Sequence, residues 1–321
     1  RAAQGQWEGA ERGVMDLNAS VIIEACRAGA EEAARLAPFL DDLDGWDGAD
    51  CDTGSNGAAT MAALEAAMYS LDPRAHLRDA LEAAVETIIR RGLGHSGMAL
   101  GALFEAWAGA LGDEHHVTPL VLRRMLAASL SPVASSIEWS DALVEMLGGA
   151  VRELEDLGAT LPEVDDVFSR FSSQAQIGLV EATNEATGRI DRGGAFVALV
   201  LACIDASMRG DAGILQSFTA MLADLAERHS RAPQAASPPP GRDFTVDIIL
   251  EGTQEDLDAL LARLGGLGAR LSYVGRVDLF GMGEWRLHVD TSAPLAAHPT
   301  SGQVIRFQVC DARPDAQIGI D

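Results

Sequence analysis

Lysine is missing from all 321 residues, so each of the 24 basic residues is an arginine. Its absence excludes mechanisms that need a lysine ammonium, such as a phosphate-gripping P-loop or a Schiff base. A GC-rich genome, which trades lysine for arginine, is the ordinary cause. Positive charge is scarce altogether: 48 acidic residues give a formal net charge of −24. Such a surface repels phosphate backbones and anionic headgroups, so no nucleic-acid partner is expected. Cysteine is sparse too, and Cys26, Cys51, Cys203 and Cys310 form no CxxC pair. That spacing fits neither a disulfide framework nor a zinc ribbon, and reads as a reduced, cytoplasmic chain. No apolar run is long enough to span a membrane and none resembles a signal peptide, so no integral membrane segment is expected. Aromatics are only 5% against 48% hydrophobic residues, which favours close-packed helices over a β-sandwich.

What is present divides at Arg231–Arg242, RAPQAASPPPGR, whose consecutive prolines make a semi-rigid linker. Before it, apolar residues recur at helical spacing, beginning with Leu17, Val21, Ile22, Cys26, Ala30, Ala33, Leu36 and Leu40. Asn18 or Ser20 is placed to cap that first helix. About eight helices follow one another through short loops, which predicts a mainly α fold, an eight-helix antiparallel bundle or barrel. After the linker the period changes. Asp243–Glu251 alternates like a strand, and Thr253–Leu267 reads as a helix with Thr253 and Asp256 as its capping box. Tyr273–Leu279, Glu284–Asp290 and Gln303–Asp311 read as further strands. The expected organisation is a helical domain over 12–230, a linker over 231–242 and a small C-terminal α/β sandwich over 243–314.

The densest chemistry lies in the loop LDGWDGADCDTGSN, Leu43–Asn56. Its glycines let Asp44, Asp50 and Asp52 converge, and crowded carboxylates repel each other unless a cation neutralises them. Oxygen-only ligands suit magnesium, which commonly shares its shell with substrate phosphates. Thr53–Asn56 then opens a helix, where N–H groups and the helix dipole favour an anion. Taken alone, the segment reads more readily as a solvated acidic loop ending in an N-cap, since such loops are common in acidic proteins. A calcium hand is a further alternative, but the late glutamate that it needs is absent.

The same loop resembles the metal loop of the nucleotide-binding (DhaL-like) domain of dihydroxyacetone kinases and bacterial fatty-acid kinases. Asp50, Asp52, Thr53, Gly54, Ser55 and Asn56 fall on the family's Asp-Gly-Asp-(Thr/His)-Gly-(Thr/Ser)-Asn pattern, and Asp44 on its upstream ligand position. GLGHSGMALGALFEAW (Gly92–Trp107) is similar to the family's glycine-serine-glycine turn, and GRIDRGGAFVALVL (Gly188–Leu201) to its late aspartate turn. SPVASSI (Ser131–Ile137) is a looser match. WRLHVDTSAP (Trp285–Pro294) resembles the His-Val-His-Thr strand of the middle domain of fatty-acid kinases, without the longer C-terminal region that follows there.

The resemblance implies ATP or ADP bound with two magnesium ions held by Asp44, Asp50 and Asp52. Thr53, Gly54, Ser55 and Asn56 would contact phosphate, and His95, Ser96 and Gly97 would line the nucleotide pocket. Ser136 would stand in for the family's threonine, with Asp191 and Arg192 near the nucleotide. It implies an acceptor, acyl or small and hydroxylated, presented by a separate acyl-binding protein, and a homodimer through the second domain. Several positions depart from the pattern. Cys51 replaces a glycine, His95 an asparagine and Arg192 a small residue, while Leu93 stands where arginine is frequent. These departures keep a non-catalytic, nucleotide-sensing scaffold as the alternative to a kinase. Fatty-acid kinases hold zinc in the middle domain through one cysteine and two histidines. Here Thr245, His288 and Asp290 occupy those positions, so no zinc is expected.

Overall fold

A computed structural model describes residues 17–44, 52–131, 140–156, 163–185, 190–228 and 243–312. Asp50, Cys51, Ser136, the side chain of Asp44 and the expected linker lie outside the described residues. The chain is mainly helical, with a four-stranded antiparallel sheet at the C-terminal end. Nine α-helices precede the sheet among the described residues, one more than expected. They are α1 (Ala19–Asp44), α2 (Thr53–Met68), α3 (Leu77–Arg91), α4 (Gly94–Leu111), α5 (Pro119–Ala127), α6 (Asp141–Glu155), α7 (Val164–Glu185), α8 (Arg192–Arg209) and α9 (Gly213–Arg228).

Local chemistry sets many of the helix starts. Asn18 Oδ1 accepts from the Val21 amide at 3.1 Å, Thr118 caps α5 ahead of Pro119, and Ser140 Oγ caps α6. Burial then decides position. In α8, AFVALVLACI (Ala195–Ile204) is buried on every side, as expected of a helix surrounded by others. The glycines at 29, 54 and 57 let α1, α2 and α8 close on one another. A Cβ on Gly54 would sit 2.1 Å from the Ala37 carbonyl oxygen, and one on Gly57 would sit 2.8 Å from the Phe196 ring.

Asp205 breaks the apolar pattern of α8. It is 2% exposed, with Arg209 at 3.5 Å, and burial pushes its carboxyl up to about 6 against the opposing pull of Arg209 and Ser169. An acid raised in the fold binds its proton more tightly there than in the unfolded chain. The fold is therefore penalised as pH rises from about 4 to above 6. Asp205→Asn is expected to stabilise the protein by up to about 3 kcal/mol at pH 8, at about 1.36 kcal/mol per pKa unit. That advantage should shrink toward pH 4. Urea melts of both proteins at pH 4.5 and pH 8 measure it, and an advantage no larger at pH 8 would contradict the buried carboxylate.

The C-terminal unit runs β1 (Phe244–Thr253), α10 (Gln254–Gly266), β2 (Arg270–Val277), β3 (Met282–Thr291) and β4 (Gln303–Asp311), in sheet order β2-β3-β1-β4. The expected capping box forms: Asp256 Oδ2 accepts from the Thr253 amide at 2.8 Å, and Thr253 Oγ1 from the Asp256 amide at 3.3 Å. Strand alternation gives the sheet two unlike faces. Val246, Ile248, Leu250, Leu271, Trp285, Leu287 and Val289 meet Leu257, Leu260 and Leu264 of α10 in a core of their own. The other face carries the cross-strand rows Asp247–His288–Ser272, Ile249–Arg286–Val274 and Thr245–Asp290–Arg270.

That polar face lies against α3 and α4. Val274 is buried in the helical core, and Gly101 of α4 admits it: a Cβ there would come within 3.1 Å of Val274. Arg90–Glu284 and Arg276–Glu82, each at 3.9 Å, flank the contact as partly exposed pairs. Pairs of this kind contribute about 0–1 kcal/mol, so the apolar and buried polar contacts carry the interface.

Candidate nucleotide site

The first turn of α2 is set by α1. Asp52 occupies the N-cap position but its side chain does not cap the helix. Asp41, near the end of α1, does that work instead: its carboxylate accepts from the Ser55 amide at 3.0 Å and from Ser55 Oγ at 2.6 Å. Sequence reading missed Asp41. The available signal was an acid one helical turn before Asp44. Ser55, expected to meet phosphate through backbone and side chain, gives both groups to Asp41.

The first turn of α4 lies beside that of α2. Gly94 begins α4 at φ 65°, a left-handed conformation that favours glycine, and a Cβ on it would lie 2.8 Å from Asn56 Nδ2. Leu93 at the N-cap offers α4 no side-chain acceptor, and the Leu93 amide donates to Thr60 Oγ1 of α2 at 3.1 Å. Ser96 is 4% exposed, and its hydroxyl makes no hydrogen bond among the described residues. Gly97 faces Thr60, with 3.1 Å from its virtual Cβ to Thr60 Oγ1. The Gly57–Phe196 contact brings the start of α8 to the same end of α2. There Asp191 caps α8, its Oδ1 accepting from the Gly194 amide. Asn56, Ser96, Gly97 and Asp191 thus stand on helix starts linked through α2. The start of α4, which has no side-chain cap, and its dipole make such a place receptive to an anion.

His95 faces elsewhere. Residues two apart on a helix point to nearly opposite sides, so the turn that sets Gly97 against Thr60 of α2 sends His95 to the sheet. Its Nδ1 is 2.7 Å from Ser272 Oγ and its Nε2 is 3.1 Å from Asp290 Oδ2. The expectation that His95 lines the nucleotide pocket has no counterpart in this arrangement. Burial pushes the His95 imidazole down to about 4 despite the attraction of Asp290, so the ring is neutral at pH 7. Burial alone would raise the Asp290 carboxyl, but His95, His288 and Arg270 outweigh it and hold it well below the usual carboxylate range. Elsewhere, a polar cleft of 620 Å³ between α6 and α7 is lined by Glu145, Arg152, Gln174 and Glu181, among others. None of the residues expected to form the site borders it.

The sequence matches the DAK2 domain family over residues 48–220, more than half of the chain. Among solved structures, the dihydroxyacetone kinase of C. freundii (native form) is similar at 18% identity and a TM-score of 0.39. The match covers 64% of this chain and 38% of that one. At those values the likeness says nothing about the site. No curated protein matches.

Proposed function

Because this chain belongs to the DAK2 domain family, we propose that it is an ATP-dependent phosphotransferase whose nucleotide phosphates lie over the first turns of α2 and α4. The observation that carries this reading is the contact of Asn56 with Gly94. It sets two helix starts side by side, one of them without a side-chain cap, next to the buried hydroxyl of Ser96. Two adjacent helix starts and a hydroxyl with no partner among the described residues suit a phosphate chain better than a neutral ligand.

In this reading Asp44, Asp50 and Asp52 hold two magnesium ions. Asp52 stands at the N-cap of α2, beside the helix start over which the phosphates would lie. Magnesium supplies charge neutralisation at the phosphates. The chain's own residues do the positioning. Asn56 and the amides of Thr53 and Gly54 orient phosphate oxygens, and Ser96 and Gly97 form the wall at α4. Asp191 fixes the start of α8 at the rim, with Arg192 and Ser136 completing the nucleotide's surroundings. The acceptor would be an acyl or small hydroxylated compound presented by a second protein, as in fatty-acid kinases, whose middle domain the C-terminal unit resembles.

The tie between His95 and the sheet favours one alternative, a nucleotide-sensing scaffold in which α4 reports occupancy to the C-terminal unit. The two readings part on phosphoryl transfer to a presented acceptor, which a scaffold lacks. Nucleotide binding itself is tested by melting the protein with ATP and magnesium beside an Asp50→Ala/Asp52→Ala variant. Ligand at a hundred times Kd should add about 2.7 kcal/mol, a shift of several degrees. It should need magnesium and be lost in the variant. An equal shift in both proteins, or none in either, would refute the site.

A further inference from the structure

Inside the seam between α4 and the sheet, the His95 ring is held at both nitrogens. Its Nδ1 is 2.7 Å from Ser272 Oγ of β2, and its Nε2 is 3.1 Å from Asp290 Oδ2 of β3. A carboxylate only accepts, so Nε2 carries the proton and Nδ1 accepts from the serine hydroxyl. One tautomer in one orientation satisfies both partners. The ring also meets that of His288 edge-on, with centroids 4.6 Å apart at 87°. Strand pairing fixes the two partners in turn: Ser272 lies across from His288, and Asp290 across from both Arg270 and Thr245.

Other restraints on this turn are few among the described residues. Leu93 gives α4 no side-chain cap, and the amides of a first helical turn have no partner within their own helix. The Leu93 amide, bonded to Thr60 Oγ1, ties the chain to α2 just before the turn begins. Val274 fills the notch at Gly101 six residues beyond His95, about 9 Å farther along the helix. Ser96 and Gly97, which the nucleotide reading sets against phosphate, follow His95 directly. Rotating this turn by about 20° would carry a side-chain atom about 5 Å from the helix axis through about 1.7 Å. Such a shift exceeds the tolerance of a hydrogen bond, so the setting of His95 decides where the Ser96 hydroxyl stands.

We propose that His95 is a positioning residue of the nucleotide site, through which Ser272 and Asp290 of the C-terminal unit set the affinity of the helices for nucleotide. The inference rests on the nucleotide reading and holds for a kinase and a scaffold alike. Linkage makes it reciprocal. Whatever fixes the first turn of α4 against the sheet favours bound nucleotide, and nucleotide favours the docked sheet by the same factor. His95 itself faces away from the phosphates. A purely structural role would lower the stability of the free protein and leave nucleotide affinity untouched. The positioning role changes affinity in a folded protein, from strand residues that do not touch the nucleotide.

The test is the Kd of the full chain for ATP with magnesium, measured by calorimetry well below the melting point of each variant. Asp290→Ala and Ser272→Ala should each raise Kd about fivefold or more, within the usual range of coupling between sites. Asp290→Asn, whose amide oxygen still accepts from His95, should bring Kd back to within about twofold of the wild type. Arg276→Ala removes an ion pair of the same seam, that with Glu82 of α3, and should leave Kd unchanged. Wild-type Kd in both Asp290→Ala and Ser272→Ala, or an equal rise in Arg276→Ala, would overturn the assignment and leave the nucleotide reading intact. A wild-type chain that binds no ATP, or binding that survives Asp50→Ala/Asp52→Ala, refutes the nucleotide reading and this inference with it. Should Asp290→Ala fail to fold, Ser272→Ala decides alone, since it removes a single hydroxyl from the seam.

Discussion

Gly54→Ala is expected to cost about 3 kcal/mol or more, at or beyond the upper end of the usual range for overpacking. A new Cβ would stand 2.1 Å from the Ala37 carbonyl oxygen and 2.8 Å from both Ala37 C and Cα. All three are backbone atoms inside α1, so no side chain can rotate away. The two helices must separate, and the separation moves the first turn of α2, with Ser55 and Asn56 upon it, away from Asp41 of α1. At 2–4 °C per kcal/mol for a chain of this size, melting should fall by about 6–12 °C. Nucleotide-dependent stabilisation should be lost with it. Gly109→Ala supplies the control: it lies within α4 with nothing near its virtual Cβ, and should stabilise by about 0.4–1 kcal/mol. A Gly54→Ala protein melting within a degree of the wild type would contradict the close approach of α1 and α2.

Local signals made much of this fold readable in advance. Asn18, the Thr253–Asp256 pair and the alternation of β1 and β3 act over four residues or fewer, and each stands where periodicity placed it. The apolar run of α8 showed its burial in composition alone. The site was legible only to the extent that it is local. The order Asp52-Thr53-Gly54-Ser55-Asn56 marks a helix start, but Asp41 claims Ser55 from the preceding helix through a contact that no spacing rule encodes. The destination of His95 was hidden for a stronger reason: its partners Ser272 and Asp290 are 177 and 195 residues away. Only the docking of β2 on Gly101 and Ile88 decides that the ring meets the sheet and not Asn56. The glycines of 92–97 mark a turn that opens a helix. That glycine at 101 makes room for a strand of the other unit is a tertiary fact.

Asp247→Ala is expected to cost about 3–5 kcal/mol, because it strands a buried cation. Arg286 is 0% exposed on the sheet face that meets the helices, and Asp247 Oδ1 accepts from its Nη2 at 3.0 Å. Its Nε and Nη1 have no hydrogen-bond partner among the described residues. Burial already pulls the guanidinium below its usual range against the opposing effect of Asp247, and that carboxylate also accepts from His288. Removing the acid therefore leaves Arg286 without an anion in a place from which water is excluded, and loosens His288 at the same time. Arg286→Met removes the charge and the unpartnered donors together while keeping the length of the side chain. It should cost distinctly less, since replacing a buried ion by a well-packed apolar group is frequently close to neutral. Asp247 then keeps His288 as its partner. Urea unfolding of the two single variants and the double variant measures the difference: Arg286→Met should recover much of the stability lost in Asp247→Ala. If the double variant is no more stable than Asp247→Ala, the loss comes from His288 and the packing around it, and the buried guanidinium is not what Asp247 sustains.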